Sequence, residues 1–194
     1  TGFISGEGGD GVTIVGNDNS VESGIGDGEI FDDDGIRGTD HGVKIVGNTN
    51  DIDTAGWIDG GTGEGVDIDG SYNTVDALGV ASVSDDGIQI LGGGDNTVTI
   101  GTGGVHGGDD GIQIGGQGGS QTSDDNTVIV AGDVTAVDIG VRIDGDSNKV
   151  EVNGDDGGVA ITAVGLGIGI TGDTNNVFAS IISMLSAIPY LNCI

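Results

Sequence analysis

Valine and isoleucine recur at every second position in short runs along most of this 194-residue chain. In Gly65–Gly70 (GVDIDG), Val66 and Ile68 alternate with Asp67 and Asp69; in Asn96–Ile100 (NTVTI), Val98 and Ile100 alternate with Thr97 and Thr99. A side-chain period of two belongs to a strand with one buried face. The runs are short and bounded by Gly, Asp and Asn, so the strands end in tight turns.

The runs repeat. The pattern Gly-(Val/Ile)-x-Ile-x-Gly begins at Gly11, Gly42, Gly65, Gly87, Gly111, Gly140 and Gly167. Each copy is followed by Asn-x-(Val/Ile), at Asn19, Asn50, Asn73, Asn96, Asn126, Asn148 and Asn175. The Asn of the fifth copy is displaced by a Gly-rich stretch, residues 115–123, which reads as a loop pushed out of the turn. A third, weaker strand is expected before each leading Gly, at Ile25–Ile30, Trp57–Ile58, Leu78–Val83, Val134–Val137 and Val159–Val164. Units of two or three short strands cannot bury an apolar face alone, but stacked units can. The prediction is therefore all-β: a right-handed parallel β-helix (a β-solenoid) of about seven coils over residues 1–177, with a continuous Val/Ile core. Glycine would serve the corners that need positive φ, and the Asn would stack as an amide ladder.

Residues 178–194 break the pattern and contain neither Gly nor a charged side chain. Phe178, Ile181, Ile182, Leu185 and Ile188 fall at helical spacing before Pro189. The segment is expected to close the end of the solenoid as a capping helix or last strand, or else to contact another subunit.

The repeat, Asp-Gly-Ile-x-Ile followed by Asn-x-Val, resembles the right-handed parallel β-helix proteins of the pectate-lyase-like group. The resemblance covers roughly residues 9–179. It implies the fold, but that fold carries lyases, hydrolases, epimerases, adhesins and phage spikes alike. Hydrolases of the group carry an Asp pair, a Gly-His-Gly and an Arg-Ile-Lys segment. This chain has Asp109-Asp110, but Asp40-His41-Gly42 and Arg142-Ile143-Asp144 depart from the other two, so a non-enzyme is expected.

Composition narrows the role. Glycine makes up 44 residues and proline one, and the formal charge is −28. A field of that sign repels nucleic acids and anionic membranes. No apolar run is long enough to span a bilayer. Cys193 is the single cysteine, so an internal disulfide is excluded. Thr1 in place of Met points to a processed form or a fragment.

The acids are mostly Asp, and stacking would gather some of them. Just before the leading glycines stand Asp40, Glu64, Asp85/Asp86 and Asp109/Asp110. Superposed coils would bring the two Asp pairs together, and such carboxylates need a shared proton or a cation between them. Asp oxygens with corner carbonyls suit calcium. Asp85, Asp86, Asp109, Asp110, Asp40 and Glu64 are accordingly the candidate calcium ligands. No stretch fits an EF-hand loop or a calcium β-roll, and the mixed outward column (Thr13, Lys44, Asp67, Gln89, Gln113, Arg142, Gly169) lacks the threonine array of an ice-binding solenoid. Lys44 and Asp67, at equivalent outward positions of adjacent coils, are expected to pair as ions. The expected role is an extracellular structural module of a surface protein, adhesin or filament that associates with itself; the alternative is a carbohydrate-binding or carbohydrate-active β-helix.

Overall fold

The computed structural model describes residues 3–24, 35–116, 121–154 and 160–180, and the backbone of 182–184. Its strands in chain order are β1 (Ile4–Gly6), β2 (Val12–Val15), β3 (Ser20–Ser23), β4 (Ile36–Gly38), β5 (Val43–Val46), β6 (Asp51–Gly60) and β7 (Val66–Asp69). There follow β8 (Thr74–Ser82), β9 (Ile88–Ile90), β10 (Thr97–Gly107), β11 (Ile112–Ile114), β12 (Thr127–Val130) and β13 (Val134–Ala136). The last are β14 (Ile139–Asp144), β15 (Lys149–Val152), β16 (Ile161–Ala163), β17 (Leu166–Thr171), β18 (Asn176–Ala179) and β19 (Ile182–Met184). There is no helix among the described residues, and hence none long and apolar enough to cross a membrane.

All strand pairs are parallel, and the seven sequence repeats become seven rungs of one sheet, in the order β17-β14-β11-β9-β7-β5-β2. The register follows the repeat residue by residue: Val12, Val43, Val66, Ile88, Ile112, Val141 and Ile168 stand in one column. Seven rungs enclose about six complete turns, a β-solenoid roughly 30 Å long at the usual inter-strand spacing. The second sheet gathers the other two strands of each coil. In β6, β8 and β10 those two strands run together, with irregular pairing between Thr54 and Trp57 and between Ile100 and Gly104. Of the expected third strands, Trp57–Ile58 lies within β6, while those at Leu78–Val83, Val134–Val137 and Val159–Val164 are met in part, by the end of β8, by β13 and by β16; Val159 lies outside the described residues. Ile25–Ile30 lies outside the described residues.

Stacking gives most core side chains a like neighbour above and below. Ile45, Ile68, Ile90, Ile114 and Ile143 form one fully buried column; Ile52, Val75, Val98, Val128 and Val150 form another; Ile36, Ile58, Val80, Val105, Val134 and Ile161 form a third. Each such side chain contributes about 1.5–3 kcal/mol of apolar transfer energy. The stiff β-branched rotamers lose little further entropy on packing.

Two glycine roles separate in the structure. The glycine that closes each first strand sits at positive φ, for example Gly47 (146°) and Gly70 (145°), and a Cβ at Gly70 would lie 1.9 Å from the Gly47 carbonyl oxygen. The leading glycine has no positive φ; a Cβ there would strike the third-strand side chain, as at Gly65, 2.4 Å from Val80 Cγ1. It is glycine because the coil bends tightly over its own core. The left-handed corner residue is never glycine: Asp18, Thr49, Tyr72, Asp95, Asp125, Ser147 and Thr174, one before each ladder Asn, have φ of 54–59°. The expectation that glycine serves the corners thus holds two residues earlier in most copies, as at Gly47 before Thr49, and fails at this position. The following Asn explains why: its side chain bonds both neighbouring coils and holds the corner in place.

That amide ladder is continuous. Each Asn Nδ2 from Asn19 to Asn126 donates to the Oδ1 of the next, at 2.9–3.1 Å. The backbone N–H of each Asn from Asn19 to Asn148 also donates to the Oδ1 of the next, the last to Asn175. A second column runs in the opposite sense: Asn48 N donates to Asn17 Oδ1, Ser71 N to Asn48 Oδ1, Gly94 N to Ser71 Oγ, Asp146 N to Asp124 Oδ1, and Asp173 N to Asp146 Oδ1.

The C-terminal segment takes the strand form over its described part. β18 crosses residue 177 and pairs with β15, and β19 pairs with β16. Val177 packs on the core while Phe178 points out, 54% exposed. The helical spacing of apolar residues is overridden here by the open sheet edge, whose unpaired backbone groups capture the chain as a further rung. Residues 185–194, with Leu185, Ile188 and Cys193, lie outside the described residues, as do residues 117–120 of the expected loop. The loop's base is closed by Gly116 N donating to Gln121 O at 2.6 Å.

Candidate functional site

The turn before each leading glycine and the outward residue two beyond it lie side by side along the first sheet. Together they form a polar stripe of two columns, one reading Asp10, His41, Glu64, Asp86, Asp110 and the other Thr13, Lys44, Asp67, Gln89, Gln113, Arg142. Much of it is buried by the coils above and below.

At its start, His41 is held between carboxylates. Nδ1 lies 2.8 Å from Asp10 Oδ1, and Nε2 lies 2.9 Å from Glu64 Oε2. Lys44 Nζ is ion-paired with Asp67, as expected from the sequence, and lies 3.3 Å from His41 Nε2. Asp40 sits at the edge of this group, 3.5 Å from His41 Nδ1, and accepts from Thr62 Oγ1 at 3.4 Å. Burial pushes Glu64 upward from the ordinary carboxylate range, and the Asp67 and Asp85 charges push it further. Asp40 and Glu64 therefore belong to a histidine-centred cluster, apart from the two Asp pairs.

The Asp pairs do come together. Asp85, Asp86 and Asp109 each bring an oxygen within 4.8 Å of the others, and so do Asp109, Asp110 and Asp138. The two halves differ in their counter-charge. Asp110 is fully buried, yet its Oδ2 accepts from Arg142 Nε at 2.6 Å and its Oδ1 from Ile139 N at 2.9 Å. Arg142 also lies 3.6 Å from Asp138, and its hydrogen bond to Asp110 raises the guanidinium further, so it stays charged. Asp86 is 2% exposed; its Oδ1 accepts from Asp110 N at 2.9 Å and its Oδ2 from Gln89 Nε2 at 3.1 Å, both neutral donors. Burial, with the Asp110 and Asp85 charges adding to it, pushes Asp86 up to about 7. Burial and the Asp110, Asp138 and Asp85 charges also raise Asp109.

Gln113 is the residue that sequence reasoning did not single out. It stands between Gln89 and Arg142 in the outward column. It is 4% exposed, and its Oε1 is buried without a hydrogen-bond partner. A buried amide oxygen left unpaired costs about 1–3 kcal/mol. The identity of the residue gave no signal; only its place in the column did.

A further group lies on the second sheet. The Trp57 ring lies over Gly79 and Gly103 of the next two coils, where a Cβ would approach within 2.9 and 2.8 Å. It stacks on His106 with ring centroids 5.6 Å apart and planes 7° from parallel. His106 Nδ1 lies 2.6 Å from Thr135 Oγ1. The indole thus covers backbone that glycine leaves bare.

Compared with protein-family models, curated proteins and solved structures, the chain matches none.

Proposed function

We propose that this protein is a non-enzymatic structural β-solenoid, a module of an extracellular surface protein, adhesin or filament. One observation carries the reading: the groups best suited to chemistry are spent on the stack itself. All four Lys and Arg side chains are ion-paired, Arg37 with Asp59 at 2.9 Å, Lys44 with Asp67, Arg142 with Asp110 at 2.6 Å and Lys149 with Glu151 at 3.0 Å. His41 is clamped between two carboxylates. Cleavage of an acidic sugar needs a cation to meet the substrate and a base beside it. Here the cations sit on four different strands, β4, β5, β14 and β15, each with an acid of its own. What the sequence invests in heavily is the core, the amide ladder and the corner column, all of which serve rigidity.

Self-association fits the same reading. β17 is the outermost described strand of its sheet, with Leu166 and Ile170 exposed, and such a parallel edge accepts a further rung. Electron microscopy and light scattering over a range of concentrations test this. Short rods that join end to end are expected; compact monomers at every concentration and salt overturn the assembly. Release of soluble oligosaccharide from polyuronates or neutral polysaccharides overturns the non-enzymatic reading in favour of a carbohydrate-active β-helix.

A further inference from the structure

We infer that Asp85, Asp86 and Asp109, completed by the side-chain oxygen of Gln113, form a binding site for one calcium ion. The argument comes from comparing two successive rungs. The run Asp-Asp-Gly-Ile-Gln-Ile occurs twice, at Asp85–Ile90 and Asp109–Ile114, and the two copies are in register. In the second copy, the buried Asp110 receives its counter-charge from the outward residue of the following coil, Arg142, at 2.6 Å. In the first copy, the residue at that same place in the following coil is Gln113. Gln113 thus stands to Asp86 as Arg142 stands to Asp110. It brings an amide where the other rung has a cation, and its Oε1 is buried with no partner.

Three carboxylates with an oxygen each inside 4.8 Å, one of them 2% exposed, make no ion pair with a cation among the described residues: Arg142 pairs with Asp110 and Asp138 and acts on Asp109 and Asp86 only as a more distant charge. A divalent ion would neutralise the group and give the Gln113 oxygen its missing partner. The donors are all oxygen, with no nitrogen or sulfur ligand among them, which favours a hard cation over zinc or copper. Carboxylates from two turns plus an amide oxygen suit the irregular, higher coordination of calcium better than the strict octahedron of magnesium. Asp110 is outside this site, and Asp40 and Glu64 lie with His41; the six acids expected from the sequence thus divide, and three remain.

The site does not depend on the structural role proposed above. The test is equilibrium dialysis of the chelator-stripped full chain against calcium in about 0.5 M KCl, where screening over roughly 4 Å suppresses diffuse binding to an acidic surface. A single calcium ion per chain is expected. Asp86→Asn and Gln113→Met should each weaken uptake by at least ~10-fold, whereas Asp95→Asn, which removes the same charge from an exposed corner, should leave it unchanged. Circular dichroism establishes that each variant is folded, and Asp86→Asn is isosteric, so the test stands if Gln113→Met misfolds. No uptake by the wild type, or equal effects of Asp86→Asn and Asp95→Asn, overturns the site. Displacement of calcium by an equal concentration of magnesium overturns the choice of ion. Failure of calcium uptake would leave the rod reading intact, and a released sugar product would leave the cation site intact.

Discussion

Asp86→Asn removes a charge from a place where the fold supplies no counter-ion, and its effect on metal-free protein can be worked out in advance. The carboxyl is held at about 7 by burial and by its acidic neighbours; in the unfolded chain it titrates near 4. A raised carboxyl favours folding in its protonated form. The stability it confers is fully present below about pH 4 and is lost as pH rises through about 7. A displacement of that size corresponds to roughly 4 kcal/mol between those limits. Asparagine is the neutral form made permanent. Its Oδ1 still accepts from Asp110 N, and the Gln89 amide can turn to accept from the new Nδ2. In chelator, the variant should match the wild type near pH 4 and exceed it by up to about 4 kcal/mol at pH 8. Urea unfolding followed by circular dichroism at a series of pH values measures the difference. Other raised acids, such as Asp109 and Glu64, cancel between the two proteins to a first approximation. A variant less stable than the wild type at pH 8, or a gap that does not open between pH 4 and 8, would refute the claim that Asp86 is buried without a counter-charge.

Three further outcomes follow from the same columns. Asn96→Ala leaves Asn73 N–H and the Gly70 carbonyl without their side-chain partners inside the stack and should cost about 3–5 kcal/mol, read from the urea midpoint. Arg142→Gln strands the fully buried Asp110 carboxylate and should cost about 3–5 kcal/mol at pH 8, read from the urea midpoint. Tyr72→Asn relieves a bulky residue held at φ 59° on an exposed corner and should raise stability by about 0.5–1 kcal/mol, visible as a higher melting temperature.

The architecture was legible because it is written in local, repeated terms. A period of two and a recurring Gly and Asn determine which residues face inward and which rung lies on which, and the observed register agrees from Val12 through Ile168. The Asn ladder was legible for the same reason, since one residue type returns at one place in every copy. The C-terminal segment was ambiguous because apolar residues at helical spacing also satisfy a strand when a sheet edge is waiting for one. The left-handed column was hidden because its members, Asp, Thr, Tyr and Ser, share no residue type; they share only a position before the Asn.

The sequence by itself determined the fold, because burying a Val/Ile face in units this short has one economical solution, and repetition states it seven times. It also marked the acidic turns as the place where charge would collect. Only the tertiary structure decided what those turns are. Asp86 and Asp110 lie in identical hexapeptides, yet one is neutralised by an arginine and the other faces a glutamine, because the counter-charge comes from the next coil around. Electrostatics acts through space between rungs, and no local pattern within one copy of DDGIQI can specify it.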